Sequence, residues 1–120
     1  MRIGTFYGGQ AIQIQLGALK RGVDIAVGTP GRIMDLYRRS ALQLDKLEFA
    51  VLDEADEMLD MGFVDDIREI LGITNADKRM LMFSATMPDE IMAIARNIRE
   101  KYERPHGKNH RRYSALHGRI

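Results

Sequence analysis

Residues 49–56 read FAVLDEAD, a run of four apolar residues that leads directly into two acids. A run of this length is typical of a strand buried in a sheet, and the polar residues after it mark where the strand ends. Similar apolar runs occur at residues 3–7, 25–27 and 80–83. The sequence therefore predicts four short strands.

Amphipathic stretches between these runs predict helices. Ile12, Leu16 and Leu19 fall on one helical face, and Gly22 follows at the expected end. Residues 58–71 suggest two short helices broken at a glycine, and residues 88–102 suggest a last helix that begins with Pro88. Alternating strands and helices imply parallel strands with helical crossovers. We therefore predict an α/β fold with a small, mostly parallel sheet flanked by helices.

Size and composition limit the function classes. The 120 residues leave room for one small domain. The absence of cysteine excludes disulfides and thiolate metal sites and fits a reducing, cytoplasmic location. No apolar run approaches the length needed to cross a membrane.

Charge is distributed unevenly along the chain. Residues 1–100 contain 12 basic and 16 acidic residues, whereas residues 101–120 contain 6 basic and 1 acidic residue. We therefore divide the chain into a body at residues 1–103 and a basic tail at residues 104–120. The tail could contact nucleic acid, or it could be a solvated and partly disordered end.

Polar clusters follow three of the predicted strands. In open parallel sheets, ligands bind beyond the carboxyl ends of the strands, so we expect these clusters at one edge of one sheet. The clusters are Gly28-Thr29-Pro30-Gly31-Arg32, Asp53-Glu54-Ala55-Asp56 and Ser84-Ala85-Thr86.

The acidic cluster suits a magnesium-nucleotide site. Asp53 could hold a hydrated Mg²⁺, a hard cation that takes oxygen ligands, while Glu54 orients or deprotonates an attacking water. The alternative is a helix N-terminus rich in acids, which the helix dipole would favour without any ligand.

The other two clusters also allow two interpretations. The glycines beside Thr29 permit close backbone approach, so the helix start there could bind a phosphate, or it could be a plain strand-to-helix turn. Gly8-Gly9 allows the same alternatives. Ser84 and Thr86 could hydrogen-bond the acidic cluster, or they could cap the next helix.

Three strings in this order and spacing resemble a known family. They are TPGR at residues 29–32, VLDEADEMLDMGF at residues 51–63 and FSATMP at residues 83–88. The chain resembles DEAD-box ATP-dependent RNA helicases of bacterial and archaeal type, from about residue 2 to about residue 102. The resemblance implies the C-terminal part of the first RecA-like domain, which has a P-loop NTPase-type fold.

The resemblance also implies roles in ATP hydrolysis coupled to RNA unwinding, with ATP and Mg²⁺ bound. Asp53 would bind Mg²⁺ through water, and Glu54 would position and activate the hydrolytic water. Asp56 would link to the segment that couples hydrolysis to strand separation, which is Ser84-Ala85-Thr86. The RNA backbone, held with little sequence preference, would contact Gly8, Gly9, Thr29, Pro30, Gly31 and Arg32.

Other parts of such an enzyme have no counterpart in this sequence. It contains no GxxxxGK[ST] phosphate-binding loop and no second RecA-like domain. We therefore expect the chain alone to be inactive as an enzyme. Two alternatives are a non-catalytic remnant that binds RNA or a partner, and a poorly folded fragment with exposed apolar strands.

Overall fold

The computed structural model describes residues 1–75, 77–102 and 114–117, with side chains described for residues 1–75 and 77–97. The chain divides into two compact units, Met1–Leu44 and Asp45–Ile120. The first contains β1 (Ile3–Phe6), α1 (Ile12–Arg21), β2 (Ile25–Gly28) and α2 (Pro30–Arg38). The second contains β3 (Phe49–Leu52), α3 (Ala55–Asp60), α4 (Val64–Ile73), β4 (Arg79–Ser84), α5 (Asp89–Tyr102) and β5 (Ser114–His117).

The first unit is a βαβα arrangement. β1 and β2 pair in parallel, with Ile3 opposite Ile25 and Phe6 opposite Gly28. α2 begins with proline, whose fixed φ suits the first helical turn. The most buried apolar side chains of this unit include Phe6, Met34 and Leu36. Burial of these side chains stabilises the unit.

The second unit is built on three parallel strands in the order β3-β4-β5. β4 alternates, because Met80, Met82 and Ser84 are buried whereas the intervening residues are not. Helical and strand side chains meet in one core made of Ala55, Val64, Ile67, Met82, Ile91 and Ile94. The core therefore lies on one face of the sheet.

A glycine separates α3 from α4. Gly62 has φ +83°, a left-handed conformation that glycine adopts without a Cβ clash. Its N–H donates to the Leu59 carbonyl, and the N–H of Phe63 donates to the Met58 carbonyl. This is a common way to end a helix, and it lets α4 start in a new direction.

Both sheets expose apolar side chains. Phe49 is 54% exposed and Val51 is 55% exposed on β3, and Ile3, Ile25 and Val27 are also exposed in the first unit. Parallel sheets are normally covered on both faces, so each unit has an uncovered apolar face among its described residues. None of the described helices is long and apolar enough to cross a membrane.

The four predicted strands and the predicted α/β class are confirmed. The expectation of a single sheet is wrong for the described residues, since β1 and β2 pair with each other and β3 and β4 belong to a second sheet. β5 was not predicted. It lies in the segment interpreted as a basic tail, most of which is outside the described residues.

Candidate functional site

The acidic cluster begins at the carboxyl end of β3. Asp53 and Glu54 are both exposed, and the N–H of Glu54 donates to Oδ1 of Asp53 at 2.9 Å. Glu54 has φ 52° and ψ 49°, a left-handed conformation. For a residue with a Cβ this conformation costs on the order of 1–2 kcal/mol. The backbone therefore turns sharply between β3 and α3, and two carboxylates are exposed at that turn.

Asp56 joins this turn to the segment after β4. One of its carboxylate oxygens, Oδ2, accepts two hydrogen bonds from Thr86, one from the backbone N–H at 3.0 Å and one from the hydroxyl at 2.8 Å. The N–H of Asp56 donates to Oγ of Ser84 at 3.1 Å, and that hydroxyl donates to the Thr86 carbonyl at 2.6 Å. Three of these hydrogen bonds thus hold the ends of β3 and β4 together, and the fourth, from Ser84 to Thr86, lies within the segment after β4. Ala85, between the two hydroxyl residues, is exposed.

These bonds stabilise the ionised form of Asp56. The donated hydroxyl of Thr86 is the main cause that lowers the pKa of Asp56 below its ordinary value of 3.8. Partial burial acts in the opposite direction, and the backbone N–H of Thr86 lowers the pKa further. Asp56 is thus held as a carboxylate that accepts hydrogen bonds, which suits a structural link between two segments.

The chemistry available at this edge of the sheet is that of oxygen ligands and bases. The described residues contain no group of three or more His, Cys, Asp or Glu residues that could enclose a metal. Mg²⁺ does not require such a group, because it usually keeps several waters and binds one or two carboxylates together with substrate phosphates. The donor set at Asp53 fits Mg²⁺ of this kind.

In the first unit, the predicted site residues follow the carboxyl ends of β1 and β2. Gly8 and Gly9 are exposed, and Gly9 has φ +89°. The N–H of Thr29 donates to the Phe6 carbonyl at 3.1 Å, which ties the two strand ends together. A Cβ on Gly28 would lie 2.3 Å from that carbonyl oxygen, so only glycine fits.

Solvent exposure varies among the residues at the start of α2. Thr29 is the N-cap residue of α2, although its side chain makes no capping hydrogen bond. Pro30 is buried, whereas Gly31 and Arg32 are half-buried. The start of α2 therefore presents backbone N–H groups and one guanidinium, a combination that suits an anion.

A hydrogen-bonded group connects Arg32 to the loop after β1. Nη1 of Arg32 donates to Oε1 of Gln15 at 2.9 Å and to the Gln10 carbonyl at 3.4 Å. Nε2 of Gln15 donates to the Tyr7 carbonyl and to Oε1 of Gln10, each at 2.9 Å. Gln15 is 1% exposed. These bonds hold the Gly8-Gly9 loop and Arg32 together within the first unit.

The structure thus brings the predicted site residues together in two groups. Asp53, Glu54 and Asp56 lie beside Ser84, Ala85 and Thr86 in the second unit, and the two glycines after β1 lie near Thr29 and Arg32 in the first. Neither Gln10 nor Gln15 was predicted from the sequence as a site residue. One observation could have revealed Gln15: it is a polar residue three positions after Ile12 and four before Leu19, on a face that is otherwise apolar.

The fold, the three sequence motifs and the geometry around them are similar to those of DEAD-box proteins. The chain belongs to the DEAD/DEAH box helicase family, whose model matches residues 1–94.

Several known proteins resemble the chain over most of its length. It is 50% identical over 102 residues to the "Probable ATP-dependent RNA helicase" of Methanocaldococcus jannaschii, a match that covers 85% of this chain and 28% of that protein. It is 53% identical over 97 residues to ATP-dependent RNA helicase DeaD of Haemophilus influenzae, covering 81% of this chain and 16% of that one. The crystal structure of a DEAD box protein from Methanococcus jannaschii matches with a TM-score of 0.79 and 46% identity, over 100% of this chain and 30% of that chain.

Proposed function

We propose that the chain forms the C-terminal part of a first RecA-like domain in an ATP-dependent RNA helicase of bacterial or archaeal type. The observation that supports this most is the hydrogen-bonded link from Asp56 to Ser84 and Thr86, directly beside the exposed pair Asp53 and Glu54. The acids that could act on ATP thus lie at the same edge of one sheet as residues 84–86, which could move when ATP is hydrolysed. A helix N-terminus that is merely acidic would not need this link.

In this proposal Asp53 binds Mg²⁺ through water. Its exposed carboxylate is placed at the end of a strand, the usual ligand position in a parallel sheet. Bound Mg²⁺ would neutralise charge on the phosphates of ATP. Oδ1 of Asp53 also accepts the N–H of Glu54, which fixes the carboxylate relative to the turn.

Glu54 acts as the residue that positions and deprotonates the attacking water. Its carboxylate is exposed, so a water can reach it, and its left-handed backbone places it at the sharp turn directly after Asp53. Neither property is required of a residue whose only task is to start a helix.

Asp56 serves as a connection rather than as a base. Its Oδ2 atom is already engaged by two donors from Thr86, and its N–H is engaged by Ser84. A change at Asp53 or Glu54 during hydrolysis would therefore move residues 84–86 with it. That movement is how we propose that hydrolysis is coupled to the separation of RNA strands.

RNA is the proposed ligand of the first unit. The sugar-phosphate backbone would contact Gly8, Gly9 and the segment from Thr29 to Arg32. The donors for it are the backbone N–H groups of Gly8, Gly9 and Gly31, the Thr29 hydroxyl and the Arg32 guanidinium. Pro30 has no N–H and would contribute only van der Waals contact, and the N–H of Thr29 already donates to the Phe6 carbonyl. Contacts of this type position a nucleic acid but do not distinguish its bases, so little sequence preference is expected.

The chain spans 28% of the length of the Methanocaldococcus relative and 16% of DeaD. Its 120 residues contain no GxxxxGK[ST] loop, which in nucleotide-binding proteins supplies the main grip on phosphate. We therefore propose that these residues do not hydrolyse ATP by themselves and that they act with a phosphate-binding loop and a second RecA-like domain. The absence of cysteine fits a cytoplasmic location for this activity.

A chimera tests this proposal. The segment of the Methanocaldococcus relative that matches this chain is replaced by the corresponding residues of this chain, and RNA-stimulated ATP hydrolysis is measured. We expect hydrolysis in the chimera and a loss of about 10²–10⁴-fold with Glu54→Gln, the usual contribution of a general base, while ATP binding is retained. Glu57→Gln is the matched control, because Glu57 is an exposed acid in the first turn of α3.

The outcomes separate the hypotheses. Hydrolysis retained in Glu54→Gln would remove Glu54 from the role of base. A folded chimera that binds RNA but never hydrolyses ATP would favour the non-catalytic RNA-binding remnant. Loss of activity in Glu57→Gln as well would show that any charge change on this turn is damaging.

A further inference from the structure

Gln15 is a buried amide that makes three hydrogen bonds. It lies on α1, in neither of the segments proposed to touch RNA, and it is 1% exposed. Its Oε1 accepts from Nη1 of Arg32, and its Nε2 donates to the Tyr7 carbonyl and to Oε1 of Gln10. A buried polar group that lacks partners costs free energy, so a side chain with this many partners has a defined task in the fold.

The pattern of donors and acceptors requires a side chain that both accepts and donates, as an amide does. Arg32 can only donate and the Tyr7 carbonyl can only accept, so the residue between them must accept at one atom and donate at another. Glutamine meets both demands. A carboxylate could still accept from Arg32 but could not donate to Tyr7, and an apolar residue could do neither.

We propose that Gln15 is a positioning residue for RNA binding. It holds the Arg32 guanidinium and the backbone before Gly8 in one arrangement. The loop and the guanidinium are therefore already in position when an RNA strand binds. This inference rests on the proposed RNA-binding function of the first unit. It adds a residue that is outside both proposed RNA-contact segments.

The guanidinium keeps donors for RNA in this arrangement. Among the described residues, its contacts to Gln15 and to the Gln10 carbonyl both use Nη1. Guanidinium also has N–H groups on Nη2 and Nε, which neither contact uses, and these can form the paired bonds that arginine makes with phosphate. Because the side chain is already held, less conformational entropy is lost when RNA binds.

RNA binding by the 120-residue chain tests the inference. A fluorescein-labelled single-stranded oligouridine is titrated with protein at several salt concentrations, and binding is followed by fluorescence anisotropy. We expect both Gln15→Met and Arg32→Ala to weaken binding about tenfold. Each should also reduce the magnitude of the slope of log K against log salt by about 0.7, the value for one phosphate contact on a single strand. Gln13→Met is the matched control, since Gln13 is exposed on the same helix.

A double mutant separates positioning from general destabilisation. If Gln15 acts through Arg32, adding Gln15→Met to Arg32→Ala lowers affinity no further than Gln15→Glu does alone, because only the contact to the Tyr7 carbonyl is left to lose. If Gln15 only supports the fold, the two losses multiply and the salt slope of Gln15→Met stays at the wild-type value.

Gln15→Glu guards against a variant that does not fold. It retains an acceptor for Arg32, so we expect the wild-type salt slope together with a smaller loss of affinity from the freed Tyr7 carbonyl. In the absence of RNA, the side-chain ¹⁵N–¹H resonances of Arg32 should be resolved in the wild type and in Gln15→Glu, and averaged in Gln15→Met.

Two failures are distinguishable. The positioning role of Gln15 is refuted if Arg32→Ala weakens RNA binding but Gln15→Met does not. It is also refuted if the Arg32 resonances are the same in the wild type and in Gln15→Met. If Arg32→Ala itself leaves RNA binding unchanged, the proposed RNA surface is wrong, and the inference fails with it.

Discussion

Replacing Ser84 with alanine removes the hydroxyl at the centre of the link between β3 and β4. Ser84 is 2% exposed. Its hydroxyl accepts a hydrogen bond from the N–H of Asp56 and donates one to the Thr86 carbonyl. Each intramolecular hydrogen bond contributes about 1 kcal/mol net, and a buried donor left without a partner costs about 1–3 kcal/mol. We therefore expect Ser84→Ala to lower the local stability of the second unit by about 2 kcal/mol. Alanine leaves almost no cavity, so packing adds little.

Native-state amide hydrogen exchange measures this loss where it occurs. A decrease of about 2 kcal/mol corresponds to an increase of about 30-fold in the exchange of amides in β3 and β4. Ala85→Ser is the control, because Ala85 is the exposed neighbour, where substitutions usually change stability by less than about 0.5 kcal/mol. A change below that limit in Ser84→Ala, or an equal change in Ala85→Ser, would refute the proposed importance of the link.

Two further predictions concern the core and the pH dependence of the second unit. Ile67 is 0% exposed, so Ile67→Ala should lower the free energy of unfolding, measured by urea denaturation, by about 3 kcal/mol. Val51 is 55% exposed, so Val51→Ala should lower it by less than about 1 kcal/mol. Equal losses would contradict the assignment of Val51 to the exposed face of the sheet. The pKa of Asp56 is lowered by folding, chiefly by the Thr86 hydroxyl, so its stabilisation is present above the ordinary value of 3.8 and is lost as pH falls through the lower folded value. The stability difference between the wild type and Asp56→Asn should therefore shrink below pH 3.8, and a difference that stays constant with pH would exclude the carboxylate as its source.

The elements of this fold were predictable because their determinants are local. A strand such as β3 is defined by its own apolar run and by the acids that follow it, and the break between α3 and α4 is defined by one glycine with positive φ. The contact between the acidic cluster and Ser84-Ala85-Thr86 was also foreseeable. Adjacent parallel strands end at the same edge, so polar residues that follow them meet there.

Pairing between strands was less predictable because it depends on distant residues. β5 (Ser114–His117) follows a Gly- and Pro-containing basic stretch and is only four residues long. Nothing in those four residues specifies that they pair in parallel with β4. The division into two sheets has the same origin, since an apolar run predicts a strand but not its neighbour.

Gln15 shows another feature that was not predicted from the sequence, the burial of a polar residue. Helical periodicity assigns residues to a buried face by hydrophobicity, so it passes over a polar residue that is buried because it has partners elsewhere. Those partners come from two separate stretches of chain, Tyr7 and Gln10 from the loop after β1 and Arg32 from the start of α2, and their convergence appears only after folding. Buried polar residues of this kind are where knowledge of the structure adds most to knowledge of the motifs.

The geometry of residues 53–56 agrees with the different tasks proposed for Asp53, Glu54 and Asp56. Glu54 is held in a left-handed conformation that is unfavourable for its residue type, so the surrounding bonds must stabilise the turn. Asp53 does so by accepting the N–H of Glu54, whereas Asp56 accepts two bonds from Thr86 and so fixes the start of α3 to the segment after β4. The strained residue is the one proposed to contact water, and its neighbour Asp53 holds its backbone N–H. If hydrolysis moves Glu54, the strain supplies a reason why the displacement would pass to Asp56 and from there to the end of β4.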